Sequence, residues 1–261
     1  MDLAAFRQLF TPAGAQALEA AQARQPREED FLSHFDALRR SLPAGLARAA
    51  LETAILRQEA RSKFPQAERL YFTRPALEQA SGSEISAFRA LRYAGFERVL
   101  DLGCSIGGDT LALAAVAPTL GLDRDPLRLA LAEANLQALG LAGRAQLVQA
   151  DLSQPLPFTL SKETALFFDP ARRDARGRIH SVQAYHPPLS SIHAWLERCP
   201  ALGVKLSPGV ELAELAPYRG AEIEFISLRG ELKEAVLWFG ALHSGAARRA
   251  VLLPGPHILC A

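Results

Sequence analysis

The residues best suited to chemistry in this chain are four aspartates and a lysine in succession: Asp101, Asp123, Asp151, Asp169 and Lys205. Each stands at or just after the end of a short apolar run, where an open α/β sheet presents its ligand-binding edge. One such aspartate reads equally well as a helix cap or a turn residue. Four in order are harder to assign to capping alone. Between Asp101 and the next helical stretch lies Gly103-Cys104-Ser105-Ile106-Gly107-Gly108-Asp109. Glycines at such a place let the backbone approach a ligand, and the helix start offers free N–H groups with partial positive charge. A dinucleotide site needs G-x-G-x-x-G, and Ser105 stands where the second glycine belongs, which opposes a nicotinamide enzyme. Asp123 lies 22 residues after Asp101, where an acid can accept both hydroxyls of a ribose.

These side chains need a sheet to hold them, and the pattern supplies one. Apolar runs over residues 98–103, 119–123, 145–151, 165–169 and 203–207 read as strands. Helical patterns over 109–116, 126–139 and 188–197 lie between them, so the strands pair in parallel through right-handed crossovers. Residues 222–228 and 234–242, joined by Arg229-Gly230-Glu231-Leu232, read as a terminal antiparallel hairpin. The expected fold is α/β: a mostly parallel, Rossmann-like sheet of seven strands ending in that hairpin. Residues 1–70 read as an all-helical region. It is punctuated by Thr11-Pro12, Pro26, Pro43 and Pro65, and residues 71–261 form the sheet domain.

The chain has 261 residues, 29 basic and 28 acidic, with a net charge of +1. That balance excludes a globally basic nucleic-acid binder but leaves room for a local basic patch. Only four of the basic residues are lysines: Lys63, Lys162, Lys205 and Lys233. Cys104, Cys199 and Cys260 are odd in number and have no metal spacing, so no metal is expected and a reduced, cytoplasmic protein is the reading. No apolar run approaches the ~20 residues of a membrane span, and MDLAAFRQLF does not read as a signal peptide.

The spacing D-x-G-x-x-x-G from Asp101 to Gly107 resembles the first motif of class I S-adenosylmethionine-dependent methyltransferases. The likeness extends through KFPQAERLYFTRPALEQAS, VLDLGCSIGGDTLALA, LDRDPLRLALAEANL, FFDPARR, YHPPL, VKLSPGV and ELKEAVLWFG. Together these resemble the bacterial class I methyltransferases that often carry a C-terminal THUMP-like domain, a domain expected to be absent from this sequence. The resemblance implies S-adenosyl-L-methionine as cofactor. Asp101, Gly103 and Gly107 would then hold its amino-acid end, Asp123 its ribose and Asp151 its adenine amine. Thr73, with Glu78 and Gln79, would close over the methionine end.

Methyl transfer is an in-line displacement that depends mainly on positioning the nucleophile. Amine methylases place D/N-P-P followed by an aromatic after the fourth strand. Here Asp169 and Pro170 match, while Ala171 and Arg172 replace the second proline and the aromatic. An arginine plane also stacks on bases. Arg172, Arg173, Arg176 and Arg178 form a basic stretch suited to phosphate, or alternatively a solvated charged loop. The expectation is methylation of an RNA base amine. Asp169, Pro170 and Lys205 would be catalytic, and Arg172, Arg173 and His186 would contact substrate. An alternative is the Lys-Asp-Lys-Glu order of ribose 2′-hydroxyl methylases, offered here by Lys63, Asp169, Lys205 and Glu231 or Glu234. Small-molecule or protein acceptors, and a non-catalytic binder of cofactor or RNA, are the other readings. His180 has nothing to position it, and Cys104, Trp195 and Trp238 read as packing residues.

Overall fold

The computed structural model describes residues 1–171, 173–174, 177–178 and 181–261. Its centre is a nine-stranded sheet. The strands are β1 (Arg98–Leu102), β2 (Thr119–Asp123), β3 (Ala145–Gln149), β4 (Thr164–Phe168), β5 (Leu202–Leu206), β6 (Glu222–Leu228), β7 (Glu231–Phe239), β8 (Arg248–Leu253) and β9 (His257–Cys260). Their spatial order is β9-β8-β6-β7-β5-β4-β1-β2-β3. β3, β2, β1, β4 and β5 run parallel, and β7 enters antiparallel between β5 and β6.

The expected parallel sheet with an antiparallel hairpin is present, with nine strands rather than seven. β8 pairs in parallel with β6, and β9 folds back on β8. The β6–β7 hairpin is also tighter than its pattern predicts. Its turn is Arg229-Gly230 alone, both at positive φ (51° and 83°), the geometry of a type I′ turn. β7 therefore starts at Glu231, and a register shift beside Ile226 leaves Lys233 as the extra residue.

Two of the crossovers are α7 (Gly108–Val116) and α8 (Pro126–Ala138). Asp125 caps α8 by accepting from Leu127 N–H at 2.8 Å, with Pro126 at the first helical position. The N-terminal helices are α1 (Leu3–Gln8), α2 (Pro12–Ala23), α3 (Phe31–Leu38), α4 (Ala44–Ala60), α5 (Arg74–Gln79) and α6 (Ser83–Ala90). α1 to α5 share one apolar core with Ile106, Leu111 and Ala114 and with Leu131, Ala134 and Leu136 of α8. The helical region is thus fastened to the flank of the sheet that carries the glycine loop. α4 is buried nearly all round; even Arg57 is enclosed, donating to the Leu70 carbonyl at 2.9 Å and stacking on Tyr71.

On the central strands Gly203 of β5 has no room for a side chain. A Cβ there would lie 2.3 Å from the Tyr93 hydroxyl and 2.6 Å from the Trp238 ring. Trp238 is fully buried, as expected for a core residue.

Candidate functional site

The turn from β1 into α7 is held in a shape that few residues tolerate. Gly103, Ser105 and Gly107 all have positive φ, at 88°, 51° and 83°. Gly103 and Cys104 N–H both donate to the Leu122 carbonyl at 2.9 Å, which ties the turn to β2. A Cβ on Gly103 would come within 3.1 Å of the Asp169 carbonyl oxygen. The loop and the end of β4 therefore approach each other as closely as backbone allows. Cys104 fills the space beside Gly121, and burial pushes its thiol up, so it is a packing residue.

The loop, the strand ends and α5 enclose a cleft of about 410 Å³, within the size range of small-molecule sites. Asp123 lies at its wall and is almost fully buried. One carboxylate oxygen accepts the Ser105 N–H and the other the Asp125 N–H, each at 2.9 Å. Each oxygen keeps a lone pair for a second donor. Asp151 lines the same cleft from the surface. Its hydrogen bond from Ser153 N–H, at 2.9 Å, holds its carboxyl below the usual range. Asp169, Pro170 and His186 close the far side. Ala171 and His186 exchange backbone hydrogen bonds at 3.2 and 3.3 Å, which sets the His186 loop against the Asp169 turn.

Three expected cofactor residues, Thr73, Asp101 and Gly107, do not line the cleft. Thr73 caps α5, accepting from Ala76 N–H at 3.4 Å, and faces a cavity among the N-terminal helices. The part of α5 that reaches the cleft is Ala76 and Gln79, followed by Ala80, one helical turn and more beyond the cap. Asp101 lies beneath the glycine loop, 1% exposed, and takes a hydrogen bond from the Thr110 hydroxyl at 2.6 Å. Burial, reinforced by the charge of Asp109, raises its pKa to about 8. Its carboxyl is thereby biased toward the protonated form, and it supports the loop from below. Gly107 packs its backbone against Ala132 and caps the start of α7.

Beside the cleft runs a buried set of charges that sequence reasoning only partly located. Lys205, 2% exposed, lies 2.5 Å from Asp169 and 3.9 Å from Asp109. Arg89 of α6 pairs with Asp109 and with Glu234 of β7, the latter at 3.0 Å, and stacks on Phe167. Ser81 donates to the other Glu234 oxygen at 2.8 Å. Burial disfavours charge on Asp109, yet Arg89 and Lys205 hold its carboxyl below the ordinary range. Burial dominates at Glu234 and raises it. Lys63 donates to the carbonyls of Leu77, Glu78 and Ala80 at 2.7–3.1 Å and so ends α5.

Asn135 was given no role by sequence reasoning. Fully buried in α8, it donates to the Ile106 and Tyr71 carbonyls at 2.9 and 3.0 Å and accepts from Tyr71 N–H at 2.7 Å. It locks the glycine loop to the helical region. Its signal in the sequence is that it is the chain's single asparagine. Arg172, Arg176 and His180, and the side chains of Arg173 and Arg178, lie outside the described residues. Among the described residues there is no cluster suited to a metal, and no helix is long and apolar enough to cross a membrane.

Comparison with known proteins adds three findings. A family profile described as Domain of unknown function (DUF8688) matches residues 2–60. Two Mycobacterium tuberculosis proteins, from strains CDC 1551 and H37Rv, are each named an uncharacterized S-adenosylmethionine-dependent methyltransferase. Both are 37% identical to this chain over 215 residues, which is 78% of this chain and 57% of theirs. The chain thus matches little more than half the length of these relatives. A Porphyromonas gingivalis W83 protein solved as a "putative methyltransferase" superposes with a TM-score of 0.69 at 22% identity, over 90% of this chain and 66% of that one. The Rossmann-like sheet with its N-terminal helices is therefore a fold shared with that protein.

Proposed function

We propose that this chain is an S-adenosylmethionine-dependent methyltransferase of class I, acting on an amino group of a base in RNA. The observation that carries the reading is the meeting, at one cleft, of the glycine loop, the Asp123 carboxylate and the Asp169-Pro170 turn. The relatives' names support the cofactor. The donor set fits it as well. N–H groups at the start of α7 suit a carboxylate, the two Asp123 oxygens suit a ribose diol, and Asp151 suits an adenine amine.

When bound, S-adenosylmethionine supplies an electrophilic methyl group on a sulfonium. The residues of the chain do the positioning. Lys205 holds one Asp169 oxygen, and the second oxygen accepts an N–H of the incoming amine. The Pro170 carbonyl accepts another, so the nitrogen lone pair is directed at the methyl. The proton released from the methylated amine passes to Asp169 or to water. His186 and the basic stretch with Arg172 and Arg173 contact the RNA. A second reading, ribose 2′-hydroxyl transfer, draws on the lining of one cavity by Lys63, Lys205 and Glu234. It is opposed by Lys63, whose three protons are all given to backbone carbonyls. Membership of the THUMP-like-domain methyltransferases, a boundary near residue 70 and a cytoplasmic site of action belong to the same proposal.

The test is calorimetric titration with S-adenosylmethionine and S-adenosylhomocysteine, followed by transfer of labelled methyl to cellular RNA, protein and small-molecule fractions. Asp123→Ala is expected to lose cofactor binding. Asp169→Ala is expected to keep it and lose transfer. Label in protein or metabolites but not RNA would overturn the substrate assignment, and equal loss of binding and transfer in Asp169→Ala would make that residue structural.

A further inference from the structure

A second cavity, of about 620 Å³, lies against the cleft. It is bounded by the segment after α5, the end of β5 and the β6–β7 hairpin. Gln79 and Ala80 line both spaces. The Asp169–Lys205 ion pair spans the boundary, with Asp169 in the wall of the cleft and Lys205 in the wall of the second cavity. A ligand in one space therefore reaches a ligand in the other at the residue proposed to hold the acceptor.

The lining of this cavity is unusual for this chain. Three of the four lysines, Lys63, Lys205 and Lys233, line it, joined by Arg229. Elsewhere the chain uses arginine almost without exception. Lysine is a compact, mobile point charge, where arginine is a rigid planar fork. A cavity that gathers several cations around one compact anion favours the former. The cations also feel one another. Lys63 is held below its ordinary range by burial first, and then by the charges of Lys205 and Lys233, with Glu78 acting in the opposite sense. An anion in their midst would relieve that repulsion.

Three acids, Glu78, Glu231 and Glu234, share the lining with the four cations. Glu234 is engaged by Arg89 and Ser81. The Glu231–Lys233 and Glu84–Arg229 pairs lie at the surface, each with one partner well exposed, so water and salt weaken them. Among the described residues no aromatic side chain lines the cavity, whereas Phe168, Pro170, His186 and Pro187 line the cleft. A base suits the cleft side and a phosphate the lysine side.

We propose that the second cavity is the acceptor's phosphate subsite. The ligand class is a phosphate-bearing acceptor. Its phosphate sits on Lys233 and Arg229 under the fixed charge of Lys63, and its target group reaches the Asp169–Lys205 boundary. The orientation of the acceptor rests on the methyl-transfer reading; the phosphate assignment rests on the cavity alone.

Four lysines make the test direct. Lysine labelled with carbon-13 at Cε gives four NMR signals, assigned through Lys63→Arg, Lys162→Arg and Lys233→Arg, with Lys205 the remainder. The protein is titrated with uridine 5′-monophosphate, uridine and a single-stranded RNA heptamer, with and without saturating S-adenosylhomocysteine. The monophosphate is expected to shift the Lys63, Lys205 and Lys233 signals together and leave the exposed Lys162 still. Uridine is expected to shift none of them. Lys233→Gln is expected to weaken the monophosphate by about tenfold or more, the size of a hydrogen bond to a charged group. Tighter binding of the heptamer assigns the phosphate to an RNA chain, and equal binding to a free nucleotide; both keep the subsite. Lys162 moving with the others, or uridine matching its monophosphate, overturns the proposal. If S-adenosylhomocysteine fails to bind while the three signals still move, the methyl-transfer reading fails and the subsite stands.

Discussion

Replacing Asp101 with asparagine should make this protein more stable at neutral pH and leave it little changed in acid. Asp101 is an ionised acid in the unfolded chain and is biased toward the protonated form beneath the glycine loop. Its pKa rises from 3.8 to about 8 on folding, burial being the main cause. Folding therefore takes up a proton throughout that interval. The folded state binds more protons than the unfolded state, so stability falls as pH rises from about 4 to about 8 and is flat on either side. A gap of about 4 units corresponds to roughly 5 kcal/mol in all, or about 1.4 kcal/mol per pH unit. Asparagine keeps an oxygen to accept the Thr110 hydroxyl but needs no proton. Urea unfolding of both proteins at pH 5, 6, 7 and 8 should show Asp101→Asn gaining on the parent at that slope. S-adenosylhomocysteine affinity should change by less than about threefold, since a neutral acid offers no charge to an ammonium. Parallel stability profiles, or a variant weakened equally at every pH, would show that Asp101 is ionised in the folded protein and would refute the argument.

Two further substitutions probe the core and the charge set. Gly203→Ala drives a methyl into the Tyr93 hydroxyl and the Trp238 ring. It should cost about 3 kcal/mol and lower the melting temperature by roughly 5–10 °C; an unchanged melt would mean that the aromatic pair gives way freely. Lys205→Met removes the cation between Asp169 and Asp109. The cost should be about 3 kcal/mol at pH 8. It should shrink toward pH 5, because carboxylates left facing each other take up protons and the folded state then binds more of them than the unfolded one. A penalty independent of pH would contradict this account.

The parts of the fold legible in the sequence were those with a local cause. β1, β2 and β4 announce themselves as short apolar runs ending near an aspartate, and α8 by its Asp125-Pro126 start. The strand order is set by long-range pairing, so no local pattern could place β7 between β5 and β6. β8 and β9 were missed because Pro254-Gly255-Pro256 reads as a loop and because β8 pairs with a strand 25 residues away, Arg248 against Ile223. At the site, residue types gave the right neighbourhood but not always the right role. Asp101 has the composition of a ligand and the burial of a support. Thr73 is close in sequence to Gln79 and yet a helical turn too early to reach the cleft. Arg89 was invisible, since a buried arginine on α6 looks like any polar residue of an amphipathic helix until its partners on α7 and β7 are known.

The hairpin of β8 and β9 alters the exposure of the sheet. With seven strands, β6 would be an outer strand, and its backbone would offer a row of unpaired N–H and C=O groups beside Ile223 and Phe225. β8 satisfies that row and hands the open edge to β9, a strand of four exposed residues that include Ile258 and Leu259. An edge of this kind is one of the two places, with β3 at the opposite margin, where another strand could add to the sheet. Four strands separate β9 from β4 along the sheet. Evolution or a protein engineer can therefore rework that margin, blunting it with charge or tailoring it to a companion, while the carboxylates at the far strand ends keep their places.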